Sequence, residues 1–483
     1  MTRSLAAALA ELPPLTTASR AGEIRDALRT NPAHAIVVLD DDPTGTQTVH
    51  DVPVLTRWDV ATLRAEFARG LPCFYVLTNS RSLGAEAARA LNGEIAQHLR
   101  AAAGERTFTV MSRSDSTLRG HFPLETDALA AVLGPFDATF LVPYFEAGGR
   151  YTIGDVHYVA EGDRLVPAAE TPFARDASFG YRHSNLPAWI EEKSAGRIRA
   201  ADVQSIAIEE LRGAPAHLVG RILALPTGAY CVVNAAHPRD IEEFAAAVIA
   251  AEQMGRRFLF RTAAQLVSAR LGLAPRALLG AAELNLPASG GGLIVVGSYV
   301  PKTTEQLRHL LEVGTRMGDR GRRGEPSLPR TNFRAVELSV DALLADARRD
   351  DELARARCEV DAALHAGEDV VVFTSRRLVT GPDAEQSLAI GRQISEALIA
   401  LVRGIAERPR YLVAKGGITS SDVATRGLGV RRALVRGQVL PGIPVWELGG
   451  ETRFPGLCYV VFPGNVGGAD ALAEVWQKFS SAP

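Results

Sequence analysis

Two short stretches concentrate the chemistry-bearing side chains of this chain. IVVLDDDPTGT (36–46) ends an apolar run in three consecutive carboxylates, and SRSDSTLRGHFPLE (112–125) ends another in a dense polar cluster. Asp40, Asp41 and Asp42 repel one another, so something beyond the local backbone must stabilise them. The second stretch supplies Arg113, Asp115, Ser116, Arg119 and His121. Arginine forks grip carboxylates, whereas carboxylates and serines grip hydroxyls, so the two types together suit an acidic, hydroxylated small molecule. Asn79-Ser80-Arg81 adds a third polar strand end. PYFEAGGRYTIGDVHYV (143–159) adds Glu146, Gly148, Gly149, Arg150 and His157.

Each cluster also has a plainer reading. The aspartates could form a solvated turn, Asp115 or Ser116 could cap a helix, and His157 could be a hydrogen-bonded core residue. A sharper alternative is a phosphatase: Asp40-x-Asp42-x-Thr44 resembles the haloacid-dehalogenase pattern with Asp40 as nucleophile, and LTNS (77–80) resembles that fold's second motif. That chemistry also needs a downstream lysine and an acidic pair after an apolar strand. Lys193 lies in a polar EEKSAG context, and no strand ends in Gly-Asp-Asp. A strand-end site for a polar ligand fits the aspartates better.

The second half carries a different chemistry. Gly297-Ser298 follows an apolar run and precedes a helix beginning near Thr303 and Thr304. AKGGITSSDVATRGL (414–428) places Lys415, Gly416, Gly417, Ile418 and Thr419 between a strand and a helix. Glycines there let backbone N–H groups converge on phosphate oxygens, and lysine supplies a point charge. A simple glycine turn is the plainer reading. FPGNVGGAD (462–470) is a third glycine-rich strand-to-helix joint. No Gly-x-x-x-x-Gly-Lys followed by Ser or Thr occurs, which excludes a P-loop, and no Gly-x-Gly-x-x-Gly follows a strand.

These residues need elements to hold them. AIVVLD (35–40), CFYVLTNS (73–80), TFTVMS (107–112) and ATFLVP (138–143) are near-continuously apolar, as strands buried on both faces are. Amphipathic segments at 84–103 and 123–134 separate them, so a parallel, doubly wound sheet is expected. A hairpin is expected at 151–167, with further strands at 203–208 and 229–234. The stretch 271–292 is small, Pro-containing and glycine-rich, and sets two domains, 1–285 and 286–483. The second domain repeats the α/β alternation: strands at 293–298, 334–338, 369–374 and 410–414, a helix from about 303, a polar loop at 318–330, a β-rich tail at 443–462 and a helix at 470–479.

At 483 residues, two domains are the natural expectation. A net charge of −2 provides no footprint for nucleic acid or an anionic membrane, and no apolar stretch reaches the length of a membrane span. Cys73, Cys231, Cys358 and Cys458 stand far apart without metal-ligand spacing, as reduced residues of a cytoplasmic protein do. Lysine stands only at 193, 302, 415 and 478, which makes Lys415 inside a glycine motif informative.

Taken in order, the motifs resemble those of the four-carbon acid-sugar kinases. Asp41-Asp42-Pro43-Thr44-Gly45 is similar to that family's Asp-Asp-x-Thr-Gly, and Asp115-Ser116-Thr117-Leu118-Arg119-Gly120 to its Asp-Ser-Thr-Leu-Arg-Gly. Asn79-Ser80-Arg81-Ser82 lies where the family has a substrate-contacting arginine, and Gly148-Gly149-Arg150 resembles its Gly-Arg segment. Gly297-Ser298, Gly416-Gly417-Ile418-Thr419 and Gly464-Asn465-Val466-Gly467 resemble its ATP-contacting segments. Two positions depart from the pattern. Phe462 stands where the family commonly has lysine, and Ile418 where it often has an acid.

The resemblance implies two α/β domains, each a mostly parallel sheet flanked by helices, with the active site in the cleft between them. It implies transfer of phosphate from ATP to a terminal hydroxyl of a threonate-, erythronate- or 3-oxo-tetronate-type acid. Asp42 or Asp115 would be the catalytic carboxylate. Asp41, Asp42, Arg81, Arg113, Ser114, Asp115, Ser116, Arg119 and Arg150 would bind the acid. Ser298, Lys415, Gly416, Gly417, Ile418, Thr419 and Gly464 would bind ATP, with Mg²⁺ bridging its phosphates and few protein ligands. Assembly into a homo-oligomer is left open. The rival readings are the Asp40 phosphatase and, because of Phe462 and Ile418, a non-catalytic sugar-acid or nucleotide sensor.

Overall fold

Residues 3–15, 18–322, 333–376, 379 and 384–480 are described by a computed structural model of the chain. They form two units, Met1–Pro275 and Arg276–Pro483.

In the first unit the apolar runs become strands β1 (His34–Asp40), β2 (Val52–Leu55), β3 (Cys73–Leu77), β4 (Thr107–Arg113) and β5 (Ala138–Val142). A meander follows: β6 (Arg150–Ile153), β7 (Val156–Glu161) and β8 (Arg164–Pro167). Next come β9 (Gln204–Ile206), β10 (Ala229–Val233) and β11 (Phe258–Thr262). Eight of these make one sheet in the order β9-β10-β5-β11-β4-β1-β3-β2, and every pairing in it is parallel. Parallel strands need crossovers, and the sequence supplies helices for them. The crossover Ala85–Ala103 is rich in good helix formers and buries Ala88, Asn92, Ile95, Ala96 and Leu99 along one face. It stops at Gly104, whose φ is +59°.

The expected hairpin at 151–167 is a three-stranded antiparallel meander, because Gly154-Asp155 makes a second turn before the one at Gly162-Asp163. Strands β2 and β11 were not anticipated. β11 inserts between β5 and β4 and brings Arg261 into the sheet.

The second unit contains β12 (Leu293–Val296), β13 (Phe333–Leu338), β14 (Asp369–Thr374), β15 (Tyr411–Lys415), β16 (Arg432–Leu440), β17 (Ile443–Leu448) and β18 (Cys458–Phe462). Their order is β16-β17-β18-β15-β12-β14-β13. The five from β18 to β13 pair in parallel, and β16 and β17 extend the sheet antiparallel. Residues 276–285, assigned by sequence to the first domain, lie with this unit: Leu279 N–H donates to the Gln438 carbonyl at 2.7 Å, and its side chain joins the core. The first part of the polar loop expected at 318–330 is helical instead, because the helix Pro301–Arg322 runs through 318–322. Residues 323–330 lie outside the described residues.

Both units share one connection pattern. The first strand lies between the third and the fourth, and the second lies outside the third. The chain therefore reverses direction across the sheet between β1 and β4 in the first unit, and between β12 and β15 in the second. Open α/β sheets bind their ligands outside the strand ends at such a point.

Candidate functional site

In the first unit the predicted polar clusters lie at that reversal. Asp40 is level with Arg113 on one side and with Leu77 on the other, and Arg113 is level with Thr262. Asp40 is 1% exposed and accepts from Arg113 Nη1 at 2.9 Å, while its Oδ2 has no hydrogen-bond partner among the described residues. Burial pushes its carboxyl up to about 7 despite the arginine. Gly45 packs so closely on this pair that a Cβ there would overlap the Asp40 carboxylate and Arg113 Nη1.

Asp41 turns the other way. Arg81 donates to it twice, from Nη2 to Oδ1 at 2.6 Å and from Nε to Oδ2 at 3.2 Å, and Ser114 Oγ donates to Oδ2 at 2.6 Å. Asp42 receives two donations from Thr44 on Oδ1, at 2.9 Å from the amide and 2.5 Å from the hydroxyl. Its Oδ2 meets Arg81 only at 3.6 Å, and the side chain is 24% exposed. Burial opposes its charge, but Arg81 and Thr44 together hold the carboxyl below the usual range.

Asp115 accepts from Arg119 Nε at 2.8 Å and from the Thr117 hydroxyl, both on Oδ2, and Oδ1 has no partner among the described residues. Against burial, Arg81, Arg119 and Thr117 hold this carboxyl far below its ordinary value. Arg119 and Arg150 lie over the same Phe173 ring at 5.2 and 5.4 Å. Arg150 Nε has no hydrogen-bond partner among the described residues, and burial lowers the arginine's pKa. Two cations on one ring, one with an empty donor, make a place for an anion.

The turn from Ser114 to Gly120 is held from below. Arg261, buried in β11, donates to the Asp115 carbonyl at 3.0 Å, to Ser114 Oγ at 3.0 Å and to the Arg119 carbonyl at 2.8 Å. His157 is a brace: Nε2 lies 2.8 Å from the Ser116 carbonyl and Nδ1 2.9 Å from the Thr152 hydroxyl, and burial lowers its pKa to about 4. The ring is therefore neutral, donating from Nε2. Ser116 itself is buried. An open pocket of about 690 Å³ adjoins the cluster at Arg81 and Gly120, and Arg89, Lys193 and Arg197 line it as well. Sequence reading missed Arg261; the aromatic run FLF at 258–260 was its signal.

The second-unit cluster centres on Ser298. A Cβ on Gly416 would lie 2.9 Å from Ser298 Cβ, and one on Gly464 would lie 3.5 Å from Ser298 Oγ. Gly416 has φ +116°, which L side chains rarely adopt. A Cβ on Gly297 would lie 2.5 Å from Thr419 Oγ1. Ser298, Gly416, Thr419 and Gly464 are thus brought together, with Gly417 beginning the short helix Gly417–Asp422. Ile418 is 66% exposed.

Lys415 does not point into open space. It is wholly buried, and its ammonium donates to the Pro463 and Gly464 carbonyls at 2.5 and 3.1 Å. It also lies 4.0 Å from the Phe462 ring centroid, and Phe462 is its level partner on β18. The cation missing at 462 thus stands one strand away. Thr303 and Gln306 fasten the same glycine-rich segment, donating to Gly464, Val466 and Gly468 carbonyls. Arg376, also missed, donates from Nη2 to the Ser298 carbonyl and to Thr304 Oγ1, both at 2.7 Å.

Among the described residues no group of three or more His, Cys, Asp or Glu could hold a metal ion, and no helix is long and apolar enough to cross a membrane.

Known proteins resemble the chain along most of its length. Family models described as a sugar-binding N-terminal domain and a nucleotide-binding C-terminal domain match residues 36–270 and 293–472. A D-threonate kinase of Bordetella bronchiseptica is 30% identical over 409 residues, covering 83% of this chain and 85% of that protein. A 3-oxo-tetronate kinase of Methylobacterium radiotolerans is 28% identical over 456 residues, covering 90% and 97%. A solved Haemophilus influenzae protein shares the fold at 18% identity, with a TM-score of 0.61 over 92% of this chain and 100% of that one.

Proposed function

The chain belongs to the four-carbon acid-sugar kinase family, and from that premise we propose that it transfers the terminal phosphoryl group of ATP to a terminal hydroxyl of a threonate-, erythronate- or 3-oxo-tetronate-type acid. The observation that carries this reading is the pairing of unspent carboxylate oxygens with unspent arginine donors. Asp42 and Asp115 each keep an oxygen for a substrate hydroxyl, while Arg119 and Arg150 converge on Phe173 where a sugar-acid carboxylate would be met.

Each group then has a task. Arg119 and Arg150 neutralise and orient the substrate carboxylate. Asp42 or Asp115 accepts a hydrogen bond from the reacting hydroxyl and takes its proton as the oxygen–phosphorus bond forms. The flanking arginines keep both carboxylates ionised at neutral pH, so the base is always in its accepting form. Phosphoryl transfer asks mainly for positioning and charge stabilisation, which this network supplies without a covalent intermediate. Ser298, Gly416, Gly417, Thr419 and Gly464 are suited to receive nucleotide phosphates, because glycine leaves room for close backbone approach. Mg²⁺, when bound, would neutralise phosphate charge; with no cluster of protein ligands among the described residues, it would be held chiefly through the phosphates.

The phosphatase reading lacks an open nucleophile, since Asp40 is buried against Arg113. The test is a panel of D- and L-threonate, D- and L-erythronate and their 3-oxo counterparts with Mg-ATP, read by ADP release and by the mass of the phosphorylated acid. One acid should be phosphorylated in preference to the others. ATP binding without turnover on any of them would overturn the kinase reading and leave a sensor.

A further inference from the structure

Arg376 emerges two residues beyond β14, beside the ends of β12 and β15: Val296 of β12 is level with both Phe373 and Lys415. One of its nitrogens is used locally, tying the Ser298 carbonyl to Thr304 at the start of the helix Pro301–Arg322. The other two are not. Nε and Nη1 are buried and have no hydrogen-bond partner among the described residues, with the guanidinium 5.3 Å from the Tyr299 ring centroid. Two buried, empty donors on a cation are costly, and such an arrangement persists where a ligand or ion completes it.

The neighbouring charges sharpen the point. Lys415 is turned onto two carbonyls, Phe462 is uncharged, and Ile418 offers neither an acid nor a base. The first unit holds a parallel: Arg81 also follows the third strand and also reaches the end of the first, where it binds Asp41. Arg376 reaches the corresponding strand end, but a serine carbonyl stands there and most of its charge is left unspent.

We propose that Arg376 binds the distal phosphates of the nucleotide held around Ser298, an assignment that rests on the kinase reading. Charged N–H donors suit phosphate oxygens, Nε and Nη1 can each meet a different one, and the permanent charge compensates for a lysine that is spent on the backbone. The cradle then differs from one built on lysine: its main cation stands at the end of β14, with Tyr299 as its platform.

The test compares ATP with AMP, which shares the nucleoside and first phosphate but lacks the distal ones. Binding of each is measured by calorimetry on the full chain, for the wild type, Arg376→Ala and Arg376→Lys. ATP affinity should fall at least tenfold in Arg376→Ala and recover in part in Arg376→Lys, with AMP affinity unchanged within twofold. Equal losses for ATP and AMP would reduce Arg376 to a brace for Ser298 and overturn the proposal, as would unchanged ATP affinity. If Arg376→Ala does not fold, Arg376→Gln, which keeps the polar stem but neither the reach nor the charge of the guanidinium, carries the same comparison. A wild type that binds no ATP would defeat the kinase reading itself, a result distinct from any of these.

Discussion

Arg81 grips Asp41 with one edge of its guanidinium, Nη2 to Oδ1 at 2.6 Å and Nε to Oδ2 at 3.2 Å, while Nη1 stays 3.6 Å from Asp42. One side chain thereby fixes the spacing of two adjacent carboxylates that would otherwise repel. Asp41 is consumed by this contact and by Ser114, so it acts from behind, and Asp42 is left with an oxygen to offer. Arg81→Lys keeps the charge but loses the fork. Turnover of a responsive acid should fall about 100-fold through misplacement of Asp42, with ATP affinity unchanged. Steady-state kinetics would show it, and wild-type turnover would remove Arg81 from the positioning role.

Asp115→Asn and Asp42→Asn separate the two remaining carboxylates. Loss of a general base costs about 10²–10⁴ in rate. The variant that removes the base should lose that much kcat while keeping its fold and its nucleotide affinity. The other should mainly raise KM for the acid. If neither variant loses more than a few-fold in kcat, proton transfer does not run through this cluster.

Arg113 and Asp40 make a second, purely internal pair. Both are buried, at 4% and 1% exposure, so Arg113→Met strands a carboxylate in the sheet. The cost should be about 3–5 kcal/mol in unfolding free energy, with part of it recovered in the Asp40→Asn/Arg113→Met double variant. Chemical denaturation of the four proteins measures the coupling. A coupling near zero would mean the pair contributes nothing beyond packing.

Much of this was legible in the sequence, for a physical reason. A strand buried on both faces of a parallel sheet has no polar alternation, so runs such as AIVVLD and TFTVMS announce themselves, and whatever follows them is at a strand end. That brings Asp40–Asp42, Arg81 and Arg113–Arg119 to one edge without knowledge of the strand order. Arg261 was hidden because β11 is five residues long and its neighbours β4 and β5 lie more than a hundred residues earlier. Lys415 was read as free to meet phosphate because its direction depends on pairing with β18, which no local pattern encodes. Arg376 was invisible for a similar reason: its partners Ser298 and Thr304 lie 78 and 72 residues away. Strand β16 was missed although its burial alternates along ALVRGQV, because Leu434 stands on the half-exposed face and Gly437 on the buried one, which blurs the apolar alternation.

The protonation of Asp40 gives a last prediction, one of stability. Its carboxyl titrates at about 7 in the folded protein because burial outweighs the attraction of Arg113, whereas the unfolded chain ionises near the ordinary aspartate value. Between those two values the folded state holds a proton that the unfolded state has released. Raising the pH through that window therefore favours unfolding, and the effect levels off above about 7, where both states are ionised. Asp40→Asn keeps an acceptor for Arg113 and cannot ionise. The stability of the variant relative to wild type should thus rise from pH 4 to pH 7 and stay flat above it, as read by denaturant midpoints at each pH. Glu125, buried against Ser80 and also raised to about 7, titrates in the same window in both proteins and cancels in the difference. A pH-independent difference would mean that Asp40 stays ionised throughout, with Arg113 overcoming the cost of its burial.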